Sequence, residues 1–162
     1  MPTHSRPTLQ LQRLDDRAVL PAYHSERAAG LDLAVCLPRH AFESDTVTIR
    51  PAHQGGGILK LPLGFACAIP EGFEGQVRPR SGLSTKRGVT VPNAPGTIDS
   101  DYRGEMFVAL INLGQEPVEI RHGDRVAQLV IAPVSHASIE QVETLDETSR
   151  GAGGFGSTGG HG

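Results

Sequence analysis

Apolar residues recur along this chain in short runs about ten residues apart, with Gly, Pro, Asn and Asp between them. Leu9–Leu14 and Thr46–Ile49 alternate apolar and polar side chains, as a strand buried on one face does. Leu31–Val35, Ile58–Leu63, Phe65–Ile69, Gly75–Arg78, Val89–Val91 and Val118–Ile120 read as further strands, punctuated by Pro62, Gly64, Pro70 and Gly72. Met106–Asn112 and Arg125–Ala132 contain near-continuous apolar runs, Met106–Leu110 and Val126–Ile131, the pattern of strands covered on both faces. A last short strand is expected over Ser138–Val142. No stretch sustains a 3.6-residue period, and the one helix predicted is short, Ser81–Arg87, stopped by Gly88. Pro51–Gly57 reads as a mobile surface loop. The pattern predicts an all-β fold, a sandwich or jelly-roll-like barrel, with one short helix.

Composition narrows the partners. The chain has 162 residues, enough for one domain with a sizeable core. Its formal net charge is −3 and no basic block is present, which argues against binding a nucleic-acid polymer. No apolar run approaches membrane-spanning length, and the N-terminus lacks the apolar centre of a signal peptide. Cys36 and Cys67 stand alone, without a C-x-x-C spacing. A cytoplasmic protein with reduced, buried thiols is expected.

Several familiar chemistries are missing. There is no phosphate-binding G-x-x-x-x-G-K-[ST], no H-E-x-x-H and no G-x-S-x-G. No two histidines fall at metal-ligand spacing, so a protein-built zinc site is not expected. Four segments remain. Arg78–Leu83 places arginines, Ser81 and Gly82 at the start of the predicted helix; Ser81 reads either as a simple N-cap or as part of an anion site. Asn93–Glu105 reads as a hairpin carrying three carboxylates, Tyr102 and Arg103, either a solvated turn or a reader of a base edge. Asp124–Val130 sets Gln128 inside an apolar strand, where its amide needs a partner from the protein or from a ligand. Residues 150–162 contain seven glycines among thirteen residues, with Phe155 at their centre. The G-x-G-x-x-G at Gly151, Gly153 and Gly156 is not a dinucleotide fingerprint, since no helix can follow it.

In this order and spacing the segments resemble the trimeric dUTPases, the deoxyuridine triphosphate nucleotidohydrolases. Five motifs match: Ala29–Leu33, Pro79–Leu83, Gly96–Glu105, Gly123–Leu129 and Arg150–Gly159. The resemblance spans residues 29 to 159. It departs from the family's pattern at Ser84, where Ala is usual, and in the longer Pro51–Gly57 insertion. It implies a jelly-roll homotrimer with shared active sites that hydrolyses dUTP to dUMP and pyrophosphate. Such an activity limits uracil incorporation into DNA and supplies dUMP for dTMP synthesis. It divides the chain into a β-domain, 1–149, and a flexible Gly-rich arm, 150–162, closing over the site.

The same resemblance implies roles for single residues. Asp99 would activate the water that attacks the α-phosphorus. Asn93 and the backbone near Phe107 would pair with uracil, with Thr97 and Ile98 lining the pocket. Tyr102 would pack on the deoxyribose and exclude a 2′-hydroxyl. Arg80, Ser81, Gly82 and Gln128 of a neighbouring chain would hold the phosphates. Asp32 would steer the water shell of one Mg²⁺, with no direct protein ligand. Phe155 would stack on uracil, worth roughly 1–3 kcal/mol, and Arg150 would grip the γ-phosphate. Ala109 stands where the related dCTP deaminases carry their catalytic glutamate, which argues against deamination. A nucleotide sensor built on the same fold is the non-catalytic alternative, and the intact Asp99, Tyr102 and Phe155 speak against it.

Overall fold

The computed structural model describes residues 6–154. In chain order its elements are β1 (Gln10–Arg13), β2 (Ala22–Tyr23), β3 (Leu31–Ala34), β4 (Thr46–Ile49), β5 (Leu59–Ala68) and β6 (Phe73–Pro79). Then come the helix α1 (Ser81–Arg87), β7 (Val89–Thr90), β8 (Gly96–Ile98), β9 (Glu105–Asn112), β10 (Val118–Arg121) and β11 (Arg125–Pro133). They form a four-stranded sheet, β1-β5-β9-β7, a five-stranded sheet, β2-β3-β11-β6-β8, and a pair, β10-β4. Every named strand pairing is antiparallel.

One core fills the space between the sheets. Leu33, Val77 and Leu129 enter it from the five-stranded sheet, Leu61, Phe65, Met106 and Leu110 from the four-stranded sheet, and Ile49, Val118 and Ile120 from the pair. The expectation that Met106–Leu110 is covered on both faces is corrected: burial along β9 alternates strictly, with Met106, Val108, Leu110 and Asn112 inside. Phe107, Ala109 and Ile111 lie half-buried on the outer face. Asn112 is the single fully buried polar side chain among the described residues. Its amide donates to the carbonyls of Ile49 (3.0 Å) and Glu116 (2.8 Å) and accepts from the Gly114 N–H (2.8 Å), so none of its burial goes uncompensated.

The two strands expected at Ile58–Leu63 and Phe65–Ile69 are one. Gly64 does not break β5; it takes a left-handed φ of 71°, and the pairing with β9 shifts register between Pro62 and Ala66. A Cβ at Gly64 would lie 2.8 Å from both the Ala18 Cβ and the Cys36 Sγ, so the bulge admits only glycine. Ser138–Val142 forms no strand, and Ile139 is fully exposed there. Pro51–Gly57 is anchored rather than loose. Ala52–Gln54 forms a 3₁₀ turn, the Gly56 N–H donates to the Pro51 carbonyl (2.9 Å), and the Gln54 amide reaches the Gln115 carbonyl (3.1 Å). Cys36 and Cys67 are free and buried, as expected.

Candidate active site

The Asn93–Glu105 segment is not a paired hairpin. β8 pairs with β6 in one sheet, while β9 pairs with β5 and β7 in the other. β7 covers β9 only at Ile111 and Asn112. The facing edges of β8 and β9 therefore keep their backbone N–H and C=O groups outside any ladder. Such groups demand partners when covered. A groove with two lobes lies between them. One lobe, about 160 Å³, is lined by Asn93, Gly96, Thr97, Ile98, Phe107, Val108 and Ala109, with Lys60, Val77 and Val91. The other, about 220 Å³, shares Lys60, Thr97, Ile98 and Phe107 and adds Asp99, Tyr102, Glu105 and Met106.

The turn that follows β8 shapes the second lobe. The Tyr102 N–H donates to the Asp99 carbonyl (3.2 Å), and the Arg103 guanidinium donates to the carbonyls of Ser100 (2.7 Å) and Tyr102 (2.8 Å). The Tyr102 hydroxyl donates to the Glu105 carbonyl (2.8 Å), which lays the ring across Gly104. A Cβ on Gly104 would sit 2.5 Å from that hydroxyl oxygen and 2.7 Å from Cζ. Asp99, the first residue after β8, is exposed beside this ring with its carboxylate free to meet solvent. The lobe thus joins a carboxylate that can take a proton from water to a flat apolar wall and an unpaired backbone edge.

A second cluster gathers on the outer face of the five-stranded sheet. Asp32 on β3 lies opposite Gln128 on β11, which lies opposite Arg78 on β6. The Asp32 carboxylate faces Arg80 Nε at 3.3 Å, Arg125 at 3.1 Å and His24 Nε2 at 3.1 Å. Arg80 also donates to the Arg125 carbonyl (2.7 Å). The Gln128 amide donates to the Pro79 carbonyl (3.1 Å), and its oxygen packs where a Cβ on Gly30 would come within 2.8 Å. Ser81 is not the N-cap. Arg80 holds that position in extended conformation without a side-chain cap, so Ser81 opens α1 with its hydroxyl exposed beside Gly82. At the other end Gly88 (φ 71°) donates its N–H to the Ser84 carbonyl at 3.0 Å, the stop expected from the sequence.

A family model described as dUTPase matches residues 16–159. The deoxyuridine 5′-triphosphate nucleotidohydrolase of Desulfotalea psychrophila is 59% identical over 140 residues, covering 86% of this chain and 87% of its own. That of Beijerinckia indica is 52% identical over 161 residues, covering 98% and 96%. The chain belongs to the dUTPase family. Its fold agrees: a mutant dUTPase of Staphylococcus bacteriophage 80alpha with dUpNHpp superimposes with a TM-score of 0.80 at 26% identity, over 94% of this chain and 98% of that one. A mutant dUTPase from phage phi11 of S. aureus, described for its coordination of a structural Mg(II) ion, gives 0.72 at 25% identity, over 86% and 99%.

Within this dUTPase fold the predicted residues fall into two groups. Asn93, Thr97, Ile98, Asp99, Tyr102 and Phe107 meet at the groove. Asp32, Arg80 and Gln128 meet on the outer sheet face, and Ser81 and Gly82 adjoin Arg80 at the start of α1. Neither lobe of the groove is lined by any residue of the second group. Arg150 joins neither group; it donates to the Gly153 carbonyl (2.9 Å) within its own exposed turn. Phe155 lies outside the described residues. Lys60 lines the groove without having been singled out from the sequence, and Glu105, one of the three carboxylates of Asn93–Glu105, lines it without having been given a role. Lys60 sits on a strand where nothing local distinguishes it from an ordinary surface charge.

Proposed function

We infer that this dUTPase hydrolyses dUTP to dUMP and pyrophosphate by attack of water on the α-phosphorus, with its site divided between neighbouring chains. The splayed β8–β9 edges carry the reading: they offer unpaired donors and acceptors that a uracil edge can complete, along the two-lobed groove. Asn93 and the backbone at Phe107 bind the base, and Thr97 and Ile98 wall the cavity. Tyr102, fixed by its bond to Glu105, packs on the sugar and leaves no room for a 2′-hydroxyl. Asp99 orients the attacking water and takes its proton, a role typically worth ~100- to 10,000-fold.

The phosphates need more cationic donors than the one, Lys60, that lines the groove. Arg80, Ser81, Gly82 and Gln128 are the matching donors, but they face a different surface of the same chain. A homotrimer brings one chain's donors to another chain's groove. The exposed apolar side chains of Ile139 and Leu145, beyond β11, support an assembly in which this segment lies against a second copy. Residues 150–162 form the arm that closes over the bound nucleotide, Arg150 toward the γ-phosphate and Phe155 onto the uracil.

The described residues include no cluster of three His, Cys, Asp or Glu side chains able to hold a metal. Mg²⁺ retains its waters and is carried by phosphates with one or two carboxylates nearby. Asp32 is the carboxylate of the phosphate cluster, and it would orient that water shell. Bound Mg²⁺ supplies neutralisation of the charge that builds on the phosphates. Asp99 and the arginines do the remaining work through proton transfer and donor contacts. No described helix is long and apolar enough to cross a membrane.

The test is pyrophosphate release from dUTP, UTP, dTTP and dCTP compared side by side. Hydrolysis of dUTP alone is expected. Tight binding of dUTP without turnover, or ammonia release from dCTP, would overturn the reading.

A further inference from the structure

The groove contains one cation that none of the five motifs supplies. Lys60 on β5 lies opposite Ala109 on β9, and Phe107 is two residues along the same outward face. That diagonal spacing lets a long side chain reach across strands. The Lys60 Nζ rests 4.0 Å from the centroid of the Phe107 ring. An ammonium over a ring face is attracted by the ring quadrupole, which restricts an otherwise flexible side chain. Lys60 lines both lobes and is the only cationic side chain lining either. The lobe that holds Asp99 also holds a second carboxylate, Glu105, which accepts from the Gly64 N–H at 3.1 Å. An anionic nucleotide entering there meets two negative charges.

We propose that Lys60 is a substrate-binding residue that offsets the Asp99 and Glu105 carboxylates and so admits the phosphate end of the nucleotide to the groove. The proposal rests on the reading of the groove as the deoxyuridine site. Its role is electrostatic: the ammonium acts on the charge of the ligand, not on the shape of the base. Deoxyuridine carries no phosphate and gains nothing from it.

The experiment compares wild type, Lys60→Met and Lys60→Arg in dUTP hydrolysis, with dUMP and deoxyuridine as competitive inhibitors, at low and high salt. In Lys60→Met the KM for dUTP and the inhibition constant for dUMP are expected to rise roughly fivefold at low salt, the size of a partly screened charge contact. kcat and the inhibition constant for deoxyuridine stay at wild-type values, the effect shrinks in high salt, and Lys60→Arg restores dUMP affinity. Unchanged KM, an equal loss for deoxyuridine and dUMP, or a fall in kcat alone would overturn the proposal. Asp99→Asn, assayed alongside, separates the two levels. If it binds dUTP without turnover while Lys60→Met matches wild type, only the assignment of Lys60 falls. If it turns over like wild type, the reading of the groove falls too.

Discussion

Gly104 has no left-handed φ, so an alanine there costs nothing in backbone conformation. Its cost is a collision. The new Cβ would lie 2.5 Å from the Tyr102 hydroxyl oxygen, 2.7 Å from Cζ and 3.0 Å from Cε2. Ordinary contact needs about 3.5 Å, so the ring must retreat by about 1 Å. The half-exposed Tyr102 can do so, at the expense of its bond to the Glu105 carbonyl. That bond is worth roughly 0.5–1.5 kcal/mol, which bounds the loss of fold stability. The effect on catalysis should be larger, because a displacement of about 1 Å in a positioning group can cost on the order of 100-fold. Gly104→Ala is therefore expected to lower kcat/KM for dUTP by about 10- to 100-fold and to shrink the preference for dUTP over UTP. Tyr102→Phe keeps the ring and loses only the hydrogen bond, and should retain most of both. Steady-state kinetics on the two nucleotides, with urea melts of each variant, decides the matter. Gly104→Ala with unchanged dUTP/UTP selectivity would refute the assignment of Tyr102 as the wall against the 2′-hydroxyl.

Two further predictions concern the scaffold. Asn112→Ala removes three internal hydrogen bonds and strands the Ile49 carbonyl in the interior, so it should destabilise the fold by about 3 kcal/mol in urea melts at fixed protein concentration. A loss under about 1 kcal/mol would mean that water replaces the amide. Burial, with the nearby Asp15 carboxylate, pushes the Cys36 thiol from 9.0 up to about 11. Between those values the unfolded chain gives up its proton while the native chain keeps it, so stability is full below about pH 9 and falls as pH rises. Urea midpoints should drop from pH 8 to pH 10, and Cys36→Ala should flatten that slope; a slope unchanged in the variant would assign the loss elsewhere.

Much of this architecture was legible in the chain. The apolar runs of β3, β6 and β11 and the Gly88 stop of α1 are local signals, and they appear where periodicity put them. What escaped was set by distant partners. β2 and β8 have two and three residues, too short for a pattern of their own. Asn93–Glu105 reads as a hairpin because its turn residues are local, whereas the assignment of β8 and β9 to different sheets is decided by β6 and β5. That splay makes the groove, and no short stretch of sequence encodes it. Ser138–Val142 is expected to form a short strand but finds no neighbour within the described chain. Ser81 reads as a cap because serine favours that position, but Arg80 occupies it. The grouping of Asp32 with Arg80 and Arg125 likewise depends on β3 meeting β11.

The central claim is that one chain's groove works with another chain's phosphate donors. Co-expression of Asp99→Asn with Arg80→Ala, each inactive alone, tests it most directly. A mixed trimer can assemble one intact site from the Asp99 of one subunit and the Arg80 of the next, so an equal mixture should recover about a quarter of the wild-type rate. Mixed trimers that are confirmed by mass and remain inactive would contradict the shared site.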